Sequence, residues 1–260
     1  MNKYISFLIL AAAMTACSND HEPIVTEYGN ISLAIGSETE VTVNSRAATT
    51  LSPEDAAGYY ITIKKDGNIK LAPTQYSALT TDKLAYPAES GYTVTAESYN
   101  PANADFGNSD WGEVRFAGIS NPITIIAHQD NPVTIPCKMC NAKASVSFDQ
   151  TFVSAFTNYS VEIYESSNAA RTLTFDTTTA LDKAAYFNID SDPEITYTVK
   201  GQFNGTDEVK TLTTSTATLT ASKWVKLNVK ANENGKVTLS ITVDNSVIET
   251  PIDVPVNPYQ

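Results

Sequence analysis

Trp224-Val225-Lys226-Leu227-Asn228-Val229-Lys230-Ala231-Asn232-Glu233-Asn234-Gly235-Lys236-Val237-Thr238-Leu239-Ser240-Ile241-Thr242-Val243 is the stretch that decides the fold class of this chain. Val225, Leu227 and Val229 alternate with Lys226 and Asn228, and Val237, Leu239, Ile241 and Val243 alternate with Thr238, Ser240 and Thr242. A period of two sends the apolar residues to one face of an extended strand and the polar ones to the other. Between the runs, Asn234-Gly235 is the pair that most readily takes up the positive φ angles of a tight hairpin turn. The stretch reads as a β-hairpin with one buried face.

The same period recurs toward the N-terminus. Residues 31–35 and 41–43 alternate around a polar turn, and Tyr92, Val94 and Ala96 share one face of a strand over 92–99. Residues 59–64 form a strand, Asp66-Gly67 a tight turn, and Ile69 and Leu71 begin the return. Shorter strands are predicted at 114–116, 123–127 and 133–135, with a loop rich in Asn, Asp and Gly over 101–111. A second series follows at 143–148, 159–164, 173–175, 186–189, 195–203 and 208–212. Ser52-Pro53-Glu54-Asp55 has a capping residue, Pro at the first helical position and acids behind it, so one helical turn starts there. Short helical insertions fit 150–156 and 179–184. No segment keeps a helical period over more than about three turns. Strands at this spacing predict an all-β chain of two tandem β-sandwiches, residues 29–136 and 137–260, and not a parallel βαβ sheet. A single larger sandwich is the alternative.

The first residues carry a different signal. Lys3 is followed by a short apolar run over 5–14, then by Thr15, Ala16 and Cys17. This is the layout of a secretory signal, too short to span a membrane. Met14-Thr15-Ala16-Cys17 also resembles the bacterial lipoprotein box, in which the cysteine is acylated and becomes the first mature residue. Residues 1–16 are thus read as a lipoprotein signal peptide and 17–28 as a tether, with Cys17 the lipidation site and outer-membrane lipid its partner. The acidic Ser18-Asn19-Asp20-His21-Glu22 resembles the export signal of Bacteroidetes lipoproteins, which places the protein on the outer membrane facing the cell exterior.

Composition removes several classes. The chain has 17 Lys and Arg against 29 Asp and Glu, a formal net charge of −12, and no cluster of bases. Nucleic acid and anionic lipid surfaces are poor partners for such a chain. The two histidines, His21 and His128, lie far apart and offer no zinc spacing, so no metal or other cofactor is expected. No G-x-S-x-G nucleophile turn is present. Asp190-Ser191-Asp192-Pro193-Glu194 could offer carboxylates to Ca²⁺ but lacks the spacing of a known loop and reads as an ordinary turn. Cys137-Lys138-Met139-Cys140 has the C-x-x-C spacing, yet strand-like flanks replace the helix N-terminus that redox chemistry needs. Buried or turn-located thiols, a local disulfide, and redox or metal chemistry remain the readings of that pair.

Gly29-Asn30-Ile31-Ser32-Leu33, Ser45-Arg46-Ala47, and Pro87-Ala88-Glu89-Ser90-Gly91-Tyr92-Thr93-Val94-Thr95-Ala96 follow one another in a recognisable order. Phe116-Ala117-Gly118, Pro136-Cys137-Lys138-Met139-Cys140-Asn141-Ala142 and Val146-Ser147-Phe148 complete it. Together they resemble a Bacteroidetes outer-membrane lipoprotein family of unknown function, akin to fimbrillin-like and minor-fimbrium anchor proteins. The resemblance implies two transthyretin-like sandwiches on a lipid anchor, with no catalytic residues. It implies a non-catalytic surface protein acting in attachment, or as a fimbrial anchor or accessory subunit, with fimbrial subunits as partners. Fimbrillin-type precursors are cut after an arginine near this place, so Arg46 and Ala47 are candidate processing residues; a retained first strand is the other reading. Asp176-Thr177-Thr178 resembles the Bacteroidetes O-glycosylation acceptor, with Thr177 the modified residue. Tyr28, Tyr99, Trp111 and Tyr164 could form a sugar-stacking platform, and surface glycans are the partner in the alternative reading, a glycan-binding lipoprotein of a polysaccharide-uptake system.

Overall fold

The computed structural model of the chain describes residues 25–38, 48–103, 111–178, 183–189, 194–231, 237–243 and 246–249. Strands β1 (Tyr28–Glu38) and β2 (Ala48–Thr50) precede the helical turn α1 (Pro53–Ala56). Next come β3 (Tyr60–Lys65), β4 (Asn68–Gln75), two 3-10 turns (Tyr76–Ala78 and Thr81–Leu84), β5 (Ala85–Pro87), β6 (Tyr92–Glu97), β7 (Phe116–Ile119) and β8 (Asp130–Met139). The rest is β9 (Ala142–Phe148), α2 (Gln150–Ala155), β10 (Phe156–Glu165), β11 (Asn168–Asp176), β12 (Ala185–Phe187), β13 (Glu194–Phe203), β14 (Val209–Thr218), β15 (Trp224–Ala231), β16 (Val237–Val243) and β17 (Ser246–Glu249).

The local chemistry explains the punctuation. Ser52 caps α1: its Oγ accepts the Asp55 N–H at 3.2 Å, and Pro53 stands where no N–H is needed. Asp149 does the same for α2, where its Oδ1 accepts from Thr151 N–H at 3.0 Å and Phe152 anchors the turn in the core. Asp66 and Gly67 both have positive φ, 49° and 80°, so a two-residue turn of the kind that suits strand twist joins β3 to β4.

Two clusters of buried apolar side chains organise the fold. One gathers Ile31 and Ile35 from β1, Ile61 and Ile63 from β3, Val94 from β6, and Val133, Ile135 and Cys137 from β8. Around it an 8-stranded sheet runs β2-β1-β8-β7-β6-β3-β4, with β5 also paired to β1. The other cluster gathers Val146, Val161, Phe175, Phe187, Val199 and Leu227, between a 4-stranded sheet β11-β10-β13-β14 and a 5-stranded sheet β12-β9-β15-β16-β17. Both are all-β layers closed on an apolar interior, as expected for sandwiches.

The two strand paths match. β4-β3-β6-β7 has the order of β11-β10-β13-β14, and β5-β1-β8 has the order of β12-β9-β15, with α1 and α2 in equivalent places. Each path opens and closes on a parallel pair, β1 with β8 and β9 with β15. Local alternation does not report this pairing. β8 continues through Cys137 to Met139, and only Cys140 and Asn141 separate it from β9. Residues 123–127 are not a strand; only Ile123 forms a bridge, to Tyr92. The expected strand at 41–43 and the Asn234-Gly235 turn lie outside the described residues, but β15 and β16 pair antiparallel from Ala231↔Val237 to Val225↔Val243, the hairpin the sequence indicates. Of the second helical insertion, 179–182 lie outside the described residues and 183–184 are not helical.

At the junction, Asn141 is buried and bonded at both ends of its amide. Its Oδ1 accepts the Arg115 N–H at 3.1 Å and its Nδ2 donates to the Glu113 carbonyl at 2.7 Å. Trp111 reaches past this point to pack edge-on against Phe175 of the second cluster, 4.8 Å between ring centroids.

Candidate functional site

The first strand is the part of the molecule whose placement bears most on function. β1 lies parallel to β8 over eight register positions, from Asn30↔Asp130 to Ser37↔Cys137. The Asn30 N–H donates to the Gln129 carbonyl at 2.9 Å, which sets the parity of the ladder: odd-numbered β8 residues turn their N–H groups toward β1. Pro132 and Pro136 are even-numbered, so the two missing donors fall on the opposite edge of β8. The edge that holds β1 keeps every donor. Ile31 and Ile35 are each 2% exposed and point into the first cluster. Burying two such side chains contributes on the order of 3–6 kcal/mol.

On its other edge β1 is only partly covered. β5 pairs with residues 28–30 and β2 with 36–38, and Leu51 N–H donates to the Ile35 carbonyl at 2.8 Å. Between those two short strands a cavity of about 380 Å³ opens beside Ile31 and Leu33, with Tyr76, Leu79 and Leu84 on its far wall. The N-terminal end is pinned by Asn131, whose Nδ2 donates to the Asn30, Ile126 and Gln129 carbonyls at 3.0, 3.2 and 3.1 Å. Its Oδ1 accepts the Ile126 N–H at 2.9 Å, so both ends of this buried amide are bonded. Gly29 fits because any Cβ there would fall 2.1 Å from the Ile126 carbonyl oxygen. The result is a slot: a strand seated on a full donor edge, with its apolar residues inward and its outer edge half open.

Of the residues singled out in the sequence, Cys17, Arg46 and Ala47 lie outside the described residues, as do His21 and 190–193. Thr177 is described and exposed, in the turn after β11, where the Asp176 carboxylate accepts from the Thr178 N–H and hydroxyl at 2.8 and 2.7 Å. Cys137 and Cys140 are free thiols. Cys137 is buried, its Sγ–H donates to the Ala96 carbonyl at 3.6 Å, and burial, with Cys140 and Glu97 nearby, pushes its pKa up to about 12. That is the reverse of an activated thiol. His128 stands 3.7 Å from Glu27 in an exposed turn. Among the described residues no group of three or more His, Cys, Asp or Glu converges as a metal site would require.

The four aromatics do not form one platform. Tyr28 is exposed at the start of β1, and Tyr164 lies on β10. Arg115 lies over the Tyr99 ring at 4.5 Å, and burial raises the Tyr99 pKa; Trp111 is engaged with Phe175. What the sequence did not reveal is the pairing of β1 with a strand a hundred positions away and the placement of Pro132 and Pro136 on its far edge. The prolines were the available signal, since a strand that carries them must turn those positions away from a partner.

The class is set by the family comparison. The family model described as "Domain of unknown function (DUF4493)" matches residues 27–258, and the chain belongs to that family. A search of curated proteins finds no match. Among solved structures, the chain is similar to a fimbrial assembly protein from Parabacteroides distasonis, at 13% identity and a TM-score of 0.51, covering 87% of this chain and 100% of that one. It is also similar to the fimbrial anchor protein Mfa2 from Porphyromonas gingivalis, at 12% identity and a TM-score of 0.47, covering 85% of this chain and 99% of that one.

Proposed function

We propose that this protein is a non-catalytic surface lipoprotein of the fimbrial or adhesion type, acting as an anchor or accessory subunit that associates with fimbrial subunits. The observation that carries the reading is the first-strand slot, in which β1 occupies the full donor edge of β8 and buries Ile31 and Ile35. A chain of this design satisfies its own slot. The similarity in fold to the fimbrial assembly protein from Parabacteroides distasonis, over 87% of this chain, supports the same reading. We further propose two tandem sandwiches meeting at the Cys140–Asn141 turn, a lipid anchor on Cys17, and an outer-membrane location facing the exterior.

Two opposed outcomes follow for Arg46-Ala47. Cutting there would separate β1 and Cys17 from the rest, leaving unpaired backbone groups and an apolar slot for a neighbour's strand. Retention makes the protein an uncut anchor, and retention is the reading proposed. N-terminal sequencing of protein from native outer membranes tests it: a chain beginning at acylated Cys17 is expected, and a start at Ala47 means a polymerising subunit instead. Cys17→Ala is expected to abolish palmitate labelling, and persistent labelling would refute the anchor. Protease treatment of intact cells should remove the protein; sensitivity only after lysis means a periplasmic face. Thr177→Ala should remove any glycan mass carried at that turn.

A further inference from the structure

The outer face of β12, β9 and β15 brings aromatic and lysine side chains into register. Lys143 sits in register between Tyr186 of β12 and Trp224 of β15, so the three form one row across three strands. Its Nζ lies 4.2 Å from the Trp224 ring centroid and 5.9 Å from that of Tyr186. In the next row Lys226 faces Ser145, and its Nζ is 3.9 Å from the same Trp224 ring. The Trp224 Nε1–H donates to Ser145 Oγ at 2.8 Å, which fixes the indole across the two rows. One row further, Ser147 Oγ donates to Asn228 Oδ1 at 3.2 Å, and Lys230 follows on β15.

These three strands hold three lysines and neither Asp nor Glu, in a chain with 29 acids against 17 bases. The ring quadrupoles hold two ammonium groups over one indole, which places positive charge at a defined spot on the sheet. The outward positions carry aromatic, lysine, serine and asparagine side chains and no aliphatic one. The core of a protein interface is depleted of lysine and serine, which make up most of this face, and a nucleic acid would ask for a longer basic track on a chain less acidic overall. Flat rings beside fixed cations and small hydroxyl or amide groups suit a sugar that carries an acid group. The register puts Thr242 and Ser240 opposite Lys226 and Asn228 on β16, and Glu249 of β17 is the first acidic position on these rows.

We propose that this face binds an acidic polysaccharide, with a sugar ring against Tyr186 and carboxylates on Lys143 and Lys226, the two ammonium groups held over Trp224. The site is independent of the first-strand slot, and either reading stands without the other. Calorimetry on the full-length chain in detergent tests it, with polygalacturonate oligomers, their fully methyl-esterified form and dextran sulfate as probes. Saturable binding of polygalacturonate that weakens with salt is expected, with no binding of the ester. The double variant Lys143→Gln/Lys226→Gln should lose at least about tenfold in affinity, since charge-assisted contacts supply the anion specificity. Tyr186→Leu should lose affinity too, whereas Lys64→Gln/Lys70→Gln, the same charge change on β3 and β4, should lose none. Melting curves matching wild type establish that each variant is folded. Three outcomes overturn the proposal: no saturable binding of polygalacturonate, equal losses in the two lysine pairs, or dextran sulfate binding as tightly as polygalacturonate and insensitive to Tyr186→Leu.

Discussion

β8 and β15 occupy the same place in two copies of one strand path, and they protect their outer edges by opposite means. β15 is covered: β16 pairs with it over seven positions, and β17 pairs with β16. Along that edge of β8, β7 pairs only at Lys138 and Met139; among the described residues no strand pairs there with 130–136, where Pro132 and Pro136 stand at positions whose N–H groups would otherwise face outward. One edge is occupied and the other is chemically blunted. The same path therefore yields one half that ends in added strands and another whose last strand is paired on its outer edge only at Lys138 and Met139.

The sharpest break of that comparison is to remove the cover. Deleting residues 237–260 strips β16 and β17 from β15, whose sequence has no proline to blunt the exposed edge. Light scattering is expected to show oligomers and aggregates at micromolar concentration; a monomer with an unchanged melting curve would mean the cover is dispensable. Next in size are the two buried asparagines. Asn131→Ala abandons four hydrogen bonds and should cost about 3 kcal/mol, and Asn141→Ala about 2 kcal/mol, in urea unfolding. Equal costs would show that the number of partners is not what matters.

Restoring the donors of β8 makes a gentler break. Pro132→Thr/Pro136→Thr should leave stability within about 1 kcal/mol, because both side chains are exposed, yet raise self-association in gel filtration. If it stays monomeric, the prolines do not guard that edge. The smallest expected effect is at Glu97, where burial raises the carboxyl pKa against the opposing influence of the Tyr99 hydrogen bond and Lys64. A raised pKa means the folded state holds the proton where the unfolded state has lost it. The contribution is therefore full below the ordinary glutamate range and lost as pH rises through the folded value. Glu97→Gln should gain slightly at neutral pH over wild type and flatten the gain in melting temperature that wild type shows on acidification toward that range.

Local chemistry was legible in the sequence, and long-range pairing was not. Ser52 and Pro53 announced α1, Asp66-Gly67 announced a turn, and the alternation from Trp224 announced β15 and β16. Those signals reside in neighbouring residues, where sterics and capping act. The parallel pair of β1 and β8 joins residues a hundred positions apart, and nothing at either strand names the other. Short strands such as β2 and β5, three residues each, are too brief to show a period. The acid-poor face of Tyr186, Lys143 and Trp224 was hidden for the same reason: three residues from three strands meet only in the folded register. The aromatics picked from the sequence were instead those that stood out in loops and strands taken singly.

The parallel pairs have a mechanical meaning. The chain enters the first half at the N-terminal end of β1 and leaves it at the C-terminal end of β8, and it crosses the second half likewise from β9 to β15. A pull between the start of β1 and the end of β15 therefore drags the two strands of each pair in opposite directions along their own length. Every hydrogen bond of the ladder is then strained together, and none can be peeled off one at a time from an end. Two such joints lie in series between β1 and β15, and a load on those two ends meets a shear ladder at each.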